Sequence, residues 1–173
     1  GDMTADHILD GSREQARLES LIRSYGISME SNGYQFVLTA PLTEIIDNPG
    51  FFIQMGMASM PGWLERIFDK KYPHWKYVPL NEDGSCASAP GGLRVLEEVL
   101  QREFGADSCI VAHPDDVDRF IGPATRAVAV STHNPLGVTF AAGVYASIFG
   151  SSKNPINALY AMRLFEKIRT NPH

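Results

Sequence analysis

Three short runs of β-forming residues mark the chain from residue 34 onward, and each ends in a proline or a polar turn. The first is Tyr34 to Ala40, YQFVLTA, closed by Pro41. The second is Ser108 to Ala112, followed by His113-Pro114-Asp115, and the third is Arg126 to Ser131, followed by Thr132, His133 and Asn134. None alternates strictly between apolar and polar residues. Nearly continuous apolar runs of this length are expected of strands buried on both faces, as in a parallel sheet.

Helical periodicity fills the intervals. PGGLRVLEEVLQREFG spaces Leu93, Leu96, Val99 or Leu100, and Phe104 along one face, with Gly105 as the stop. After His113 a short helix is expected to end near Phe120-Ile121-Gly122. A last helix begins with Asn154 as cap and Pro155 in its first turn and finishes near Arg169. Its expected core stripe is Ile156, Leu159, Met162 (or the stem of Arg163), Phe165 and Ile168. The order strand, helix, strand, helix, strand, helix predicts an α/β protein, a parallel sheet with helices on both faces joined by right-handed crossovers.

Two regions depart from this alternation. Residues 1 to 33 form an amino-terminal extension. Ser12-Arg13-Glu14-Gln15 has the spacing of a capping box, and Leu18, Leu21, Ile22 and Tyr25 recur on one face, so a helix is expected from about Arg13 to Tyr25. Residues 41 to 89 are an insertion after the first strand, rich in glycine and proline, with one expected helix from Pro61 to Phe68 whose buried side is Trp63, Leu64, Ile67 and Phe68. Within it NPGFFIQMGMASMPGW sets Phe51, Phe52, Met55, Met57, Met60 and Trp63 near a strand end, either as a lid over the core or as an adaptable ligand wall. The domain proper is 34 to 173. A doubly wound sheet calls for more than three strands, so the chain is expected to be a fragment truncated before its last strands.

Composition narrows the function classes. The 173 residues carry 15 Lys and Arg against 20 Asp and Glu, a net charge of −5, which argues against a nucleic-acid partner. No apolar run approaches the roughly 20 residues of a membrane span. The two cysteines, Cys86 and Cys109, read as reduced thiols of a cytoplasmic protein.

Ligands of open parallel sheets bind beyond the carboxyl ends of the strands. Three loops meet there, after Ala40, at His113 to Asp116 and at Ser131 to Gly137, together with the amino end of the helix at Gly91. PLTEIIDNPG follows the first strand, so the dinucleotide GxGxxG pattern is absent, as is GxxxxGK[ST]. The histidines show no HxxH, HExxH or HxH spacing, and turn chemistry accounts for His113, Asp115 and Asp116 without a metal. No GxSxG elbow occurs. No catalytic residue and no metal ligand is assigned.

Taken together, YQFVLTAP, APGGLRVLEEVL and CIVAHPDDVDRFIGPATRAVAVSTHNPLG resemble the amino-terminal cobalamin-binding region of radical S-adenosylmethionine enzymes, over roughly Tyr34 to Ile168. The resemblance implies a Rossmann-like, flavodoxin-like three-layer domain that holds the corrin ring against the strand ends. It implies cofactor-binding positions at Pro41, Pro90, Gly92, Leu93, His113 and Asp115. It further implies a loop of Ser131, Thr132, His133, Asn134, Pro135, Leu136 and Gly137 near the corrin face or the nucleotide tail. His133 approaches cobalt, caps the turn or meets solvent. The Asp-x-His-x-x-Gly cobalt-ligand motif is absent, as are the family's fourth strand with its Gly-Gly turn and Cys-x-x-x-Cys-x-x-Cys. S-adenosylmethionine and the 4Fe-4S cluster therefore belong to a remainder outside these residues. The alternatives are a non-enzymatic assembly module, self-associating through an exposed sheet edge or the amino-terminal helix, and a stand-alone α/β enzyme acting on an unknown small molecule.

Overall fold

Phe36–Thr39 forms the central strand, β1, of a three-stranded parallel sheet in the order β2-β1-β3, where β2 is Cys109–Val111 and β3 is Ala127–Val130. The computed structural model describes residues 32–45, 59–72, 76–133, 135–136, 144, 148 and 155–173. The expected amino-terminal helix, its capping box, most of the Phe- and Met-rich stretch and the Asn154 cap lie outside these residues.

Register explains why the strand sequences look uniformly apolar. Val37 pairs with Ile110 on one side and with Val128 on the other, while Leu38 pairs with Val111 and Ala129. Alternate residues therefore point to opposite faces, and each face buries its own cluster. One holds Leu38, Cys109, Val111 and Leu93, with Phe36 and Ala129 packed beside them. The other holds Val37, Ile110, Val117, Phe120 and Leu164, with Val128, Val130 and Ile168. Helices cover both faces, giving a three-layer, open α/β sheet of Rossmann-like topology.

Helices with bounds among the described residues include α1 (Leu42–Ile45), α2 (Glu65–Lys71, preceded by a 3-10 turn at Gly62–Leu64), α3 (Gly91–Phe104), α4 (Val117–Phe120) and α5 (Ile156–Thr170). Gly105, at φ 102°, stops α3 where the sequence places its end. Several expected faces need correction. Trp63 and Ile67 are more exposed than buried, and only Leu64 and Phe68 are partly covered. On α3, Leu93 is in the core, but Leu96, Val99 and Phe104 lie toward solvent, although the Phe104 ring still packs 4.9 Å from that of Phe36. On α5, Met162 and Phe165 are exposed; the buried face is Ile156, Ala158, Ala161 and Leu164. Small alanines let α5 lie close to its neighbours, so the helix is rotated from the orientation that its largest side chains predict.

The insertion is tied to both ends of this scaffold. Ser85 bridges Ala112 in antiparallel fashion, and the Cys86 amide donates to the Val111 carbonyl at 2.8 Å, covering the outer edge of β2. Pro61 bridges Pro155, and the Ile156 amide donates to the Met60 carbonyl at 2.8 Å. At the opposite end of the sheet, Asn32-Gly33 crosses Gly122. A Cβ on Gly33 would lie 2.3 Å from the Gly122 nitrogen, so the crossing requires hydrogen at both positions. No helix among the described residues is long and apolar enough to cross a membrane.

Candidate functional site

The 2-1-3 order puts a topological switch point between β1 and β3: the chain leaves β1 toward one side and returns on the other. Ligands of such sheets sit in the crevice outside the strand ends at that point. Two segments meet here. Beyond β1, the Pro41 carbonyl accepts the amides of Glu44 at 2.8 Å and Ile45 at 3.2 Å, forming the single turn of α1. Beyond β3, the Ser131 amide donates to the Thr39 carbonyl at 2.9 Å, which extends the ladder and sets the position of Thr132 and His133.

Glu44 is the centre of what they build. Leu42, Thr43 and Ile45 are buried in the body, leaving Glu44 to face the β3 turn. Its Oε1 accepts the Thr132 hydroxyl at 2.9 Å and the Asn157 side-chain amide at 3.0 Å. The His133 backbone amide lies 3.1 Å from Oε1 and 3.0 Å from Oε2, and the ring nitrogen Nδ1 lies 3.0 Å from Oε2. Asn157, in the first turn of α5 and 2% exposed, accepts the Thr43 hydroxyl on its Oδ1. One carboxylate thus joins α1, the β3 turn and α5. The Glu44 side chain is 8% exposed, that of His133 83%: a buried anchor carries a ring in solvent.

The residues implied by the resemblance divide into three sets. Ser131, Thr132 and His133 converge at this point. Pro135 and Leu136 are exposed just beyond it, while Asn134 and Gly137 lie outside the described residues. The side chains of Pro41 and Leu93 are buried in the core, Leu93 at 3% exposure, beneath the strand ends. Pro90 is half-buried as the cap of α3, and Gly92 is exposed, with nothing within 4 Å of where its Cβ would be. His113 closes its own turn. Its Nδ1 accepts the Asp115 amide at 3.1 Å, its carbonyl accepts the Asp116 amide at 3.0 Å, and the Asp115 carboxylate points to solvent.

Glu44 and Asn157 are the site residues that sequence reasoning misses. A lone glutamate after a strand has no local pattern, and its partners stand 88 to 113 residues further along.

Three other features lie apart from this crevice. Lys76 sits 2.9 Å from Glu65 and 2.8 Å from Asp69, while the Tyr160 hydroxyl donates to Glu65, so this network staples α2 to α5. Burial pushes Tyr160 up to about 12, helped by Glu65. Burial pushes Glu65 up as well, but hydrogen bonds from Lys76 and Tyr160 outweigh it and hold the carboxyl below its ordinary value. An open depression of about 200 Å³ between Arg126–Val128 and Ile168 lies at the start of β3, the wrong end of the sheet for a switch-point ligand. The thiols of Cys86 and Cys109 are buried and each is pushed up to about 11 by that burial. No family model, no curated protein and no solved structure matches the chain.

Proposed function

We propose that this chain is the cobalamin-binding module of a radical S-adenosylmethionine enzyme and holds the corrin over the carboxyl ends of β1 and β3. The observation that carries the reading is the Glu44-centred junction at the switch point, which fixes the Ser131–His133 turn that the resemblance assigns to the cofactor. The residues fit a broad, flat ligand with an amide rim. The turn offers hydroxyl and imidazole groups, and the Gly91-Gly92 start of α3 leaves open space where a side chain would intrude. Among the described residues no three His, Cys, Asp or Glu side chains group as a metal site.

When bound, cobalamin supplies the cobalt centre for methyl transfer or a radical step. The chain's own residues bind and orient. Glu44 fixes the β3 turn, Asn157 sets Glu44, and the glycines of α3 leave room. The radical chemistry, with S-adenosylmethionine and its cluster, belongs to polypeptide beyond these residues.

The test is equilibrium dialysis of hydroxocobalamin against the purified chain. Wild type is expected to retain it at micromolar concentration, and Gly92→Trp, at an exposed position whose Cβ would have nothing within 4 Å, is expected to lose it while keeping its circular dichroism. A folded wild type that retains no corrinoid overturns the reading. The assembly reading then takes its place, favoured by one observation: the outer edge of β3 has no strand partner among the described residues. It requires concentration-dependent self-association.

A further inference from the structure

We propose that the outward face of α2 docks on an anionic lipid surface, where the protein rests reversibly without crossing the bilayer. The proposal stands apart from the cobalamin reading. α2 and the 3-10 turn before it divide their side chains by chemistry. Leu64 and Phe68 are half-buried, and Phe68 packs against the core. The two acids of the helix are already neutralised. Glu65 lies 2.9 Å from Lys76 and accepts the Tyr160 hydroxyl, and Asp69 lies 2.8 Å from Lys76. What is left for solvent is Trp63, Arg66, Ile67, Lys70 and Lys71. Positions three and four apart share a helix face, so these residues fall on one side.

That side has both properties an anionic interface selects. Its centre is apolar: Trp63 is 55% and Ile67 53% exposed. Its rim is cationic. Arg66, Lys70 and Lys71 are exposed, and none has a carboxylate partner among the described residues; Lys71 Nζ lies over the Tyr72 ring, 5.4 Å from its centre. These three cations stand together in a chain whose net charge is −5. Tryptophan and tyrosine beside lysine and arginine are the residues that settle at the level of lipid headgroups, because each joins an apolar body to a polar end.

Size and shape choose among anionic partners. The face is about two helical turns long, far short of the roughly 800 Å² a side that a specific protein interface buries, whereas a bilayer meets a small patch as readily as a large one. It is the convex outside of a helix, with no groove to follow a nucleic-acid strand. Lying in the plane of the interface, α2 sets Trp63 and Ile67 into the headgroup boundary while Arg66, Lys70 and Lys71 meet the phosphates. The network of Glu65, Tyr160 and Lys76 joins α2 to α5, so the face is presented already folded. One short helix gives weak, reversible attachment that salt weakens further.

Co-sedimentation of the whole chain with vesicles tests this. Vesicles of phosphatidylcholine and phosphatidylglycerol in equal parts are expected to carry the chain down at low salt and to release it as salt rises. Vesicles of phosphatidylcholine alone are expected to leave it in solution. Arg66→Gln, Lys70→Gln and Lys71→Gln should each weaken partitioning about fivefold, and together about 100-fold. Trp63→Ala should weaken it about tenfold. These positions are exposed, so urea midpoints should stay at the wild-type value. Tryptophan emission should shift to shorter wavelength on the anionic vesicles, and Trp63→Phe should lose that shift although Trp75 remains. A chain that stays in solution beside anionic vesicles overturns the proposal, as does sedimentation that the triple variant keeps or an emission shift that Trp63→Phe keeps. Binding of single-stranded DNA in place of the vesicles, or self-association that Trp63→Ala abolishes, gives the face to another occupant and overturns it as well.

Discussion

Replacing Glu44 by alanine separates an anchor from what it carries, and the structure sets the size of the effect. Four donor groups surround the carboxylate: the Thr132 hydroxyl, the His133 amide, the His133 ring and the Asn157 side-chain amide. Hydrogen bonds to a charged group contribute about 1.5–3 kcal/mol each, which taken at face value sums to far too much. Thr132 and His133 can turn to water, and an exposed pair contributes about 0.2–1 kcal/mol. Asn157 cannot follow. It is 2% exposed, and losing an acceptor inside the body costs about 1–3 kcal/mol. Glu44→Ala should therefore destabilise the fold by about 2–3 kcal/mol, and His133→Ala by less than about 1 kcal/mol. Urea unfolding followed by helical circular dichroism measures both, as a fall in midpoint at constant slope. The double mutant should show coupling well below the Glu44→Ala effect, because most of that effect runs through Asn157. If Glu44→Ala is no worse than His133→Ala, the carboxylate does not join α1, the β3 turn and α5, and the account of the site fails.

Two further outcomes check other parts of the structure. Gly33→Ala should cost about 3 kcal/mol in the same unfolding assay, because its φ of +70° strains an alanine and its Cβ would overlap the Gly122 nitrogen; a wild-type midpoint would contradict the crossing. Glu65 has a native value below its ordinary one, so it stabilises the fold above the ordinary glutamate range, and that contribution is lost as pH falls through the lowered native value. Melting temperatures of wild type and Glu65→Gln should accordingly differ at neutral pH and converge on acidification; a gap that persists in acid rules out the staple between α2 and α5.

The sheet was legible because its strands are buried on both sides. FVLT and CIV face cores in both directions, as strands between two helical layers must, whereas AVAV, at the sheet edge, is only partly buried and Ala127 is exposed. The expected strands overrun the observed ones by a residue or two at each end, although the amides of Ala112, Arg126 and Ser131 still reach carbonyls of Leu38, Gln35 and Thr39. Helix existence was legible too, from the spacing of Leu93 and Leu100 and from the stop at Gly105. Helix orientation was not. Counting large apolar residues turns α5 toward Met162 and Phe165, whereas close packing at Ala158 and Ala161 decides the matter. The site was legible at Ser131, Thr132 and His133, which follow a strand, and hidden at Glu44 and Asn157. A four-residue helix has no periodicity to detect, and a carboxylate's role depends on donors brought to it by the whole fold.

That dependence bears on the order in which the molecule comes together. β1 is the middle strand, yet both of its neighbours are encoded after it: Phe36 pairs with Cys109 and with Ala127. The Glu44 contacts span 88, 89 and 113 residues, and Thr43 reaches Asn157 across 114. Loops of this length close late and slowly. During synthesis β1 and α1 emerge with none of these partners and hold exposed apolar surface until β3 and α5 follow. The crevice at the strand ends is consequently among the last features to form, and it cannot exist on a half-folded chain. A ligand that recognises it selects completed molecules, and its binding energy is added directly to the stability of the entire domain.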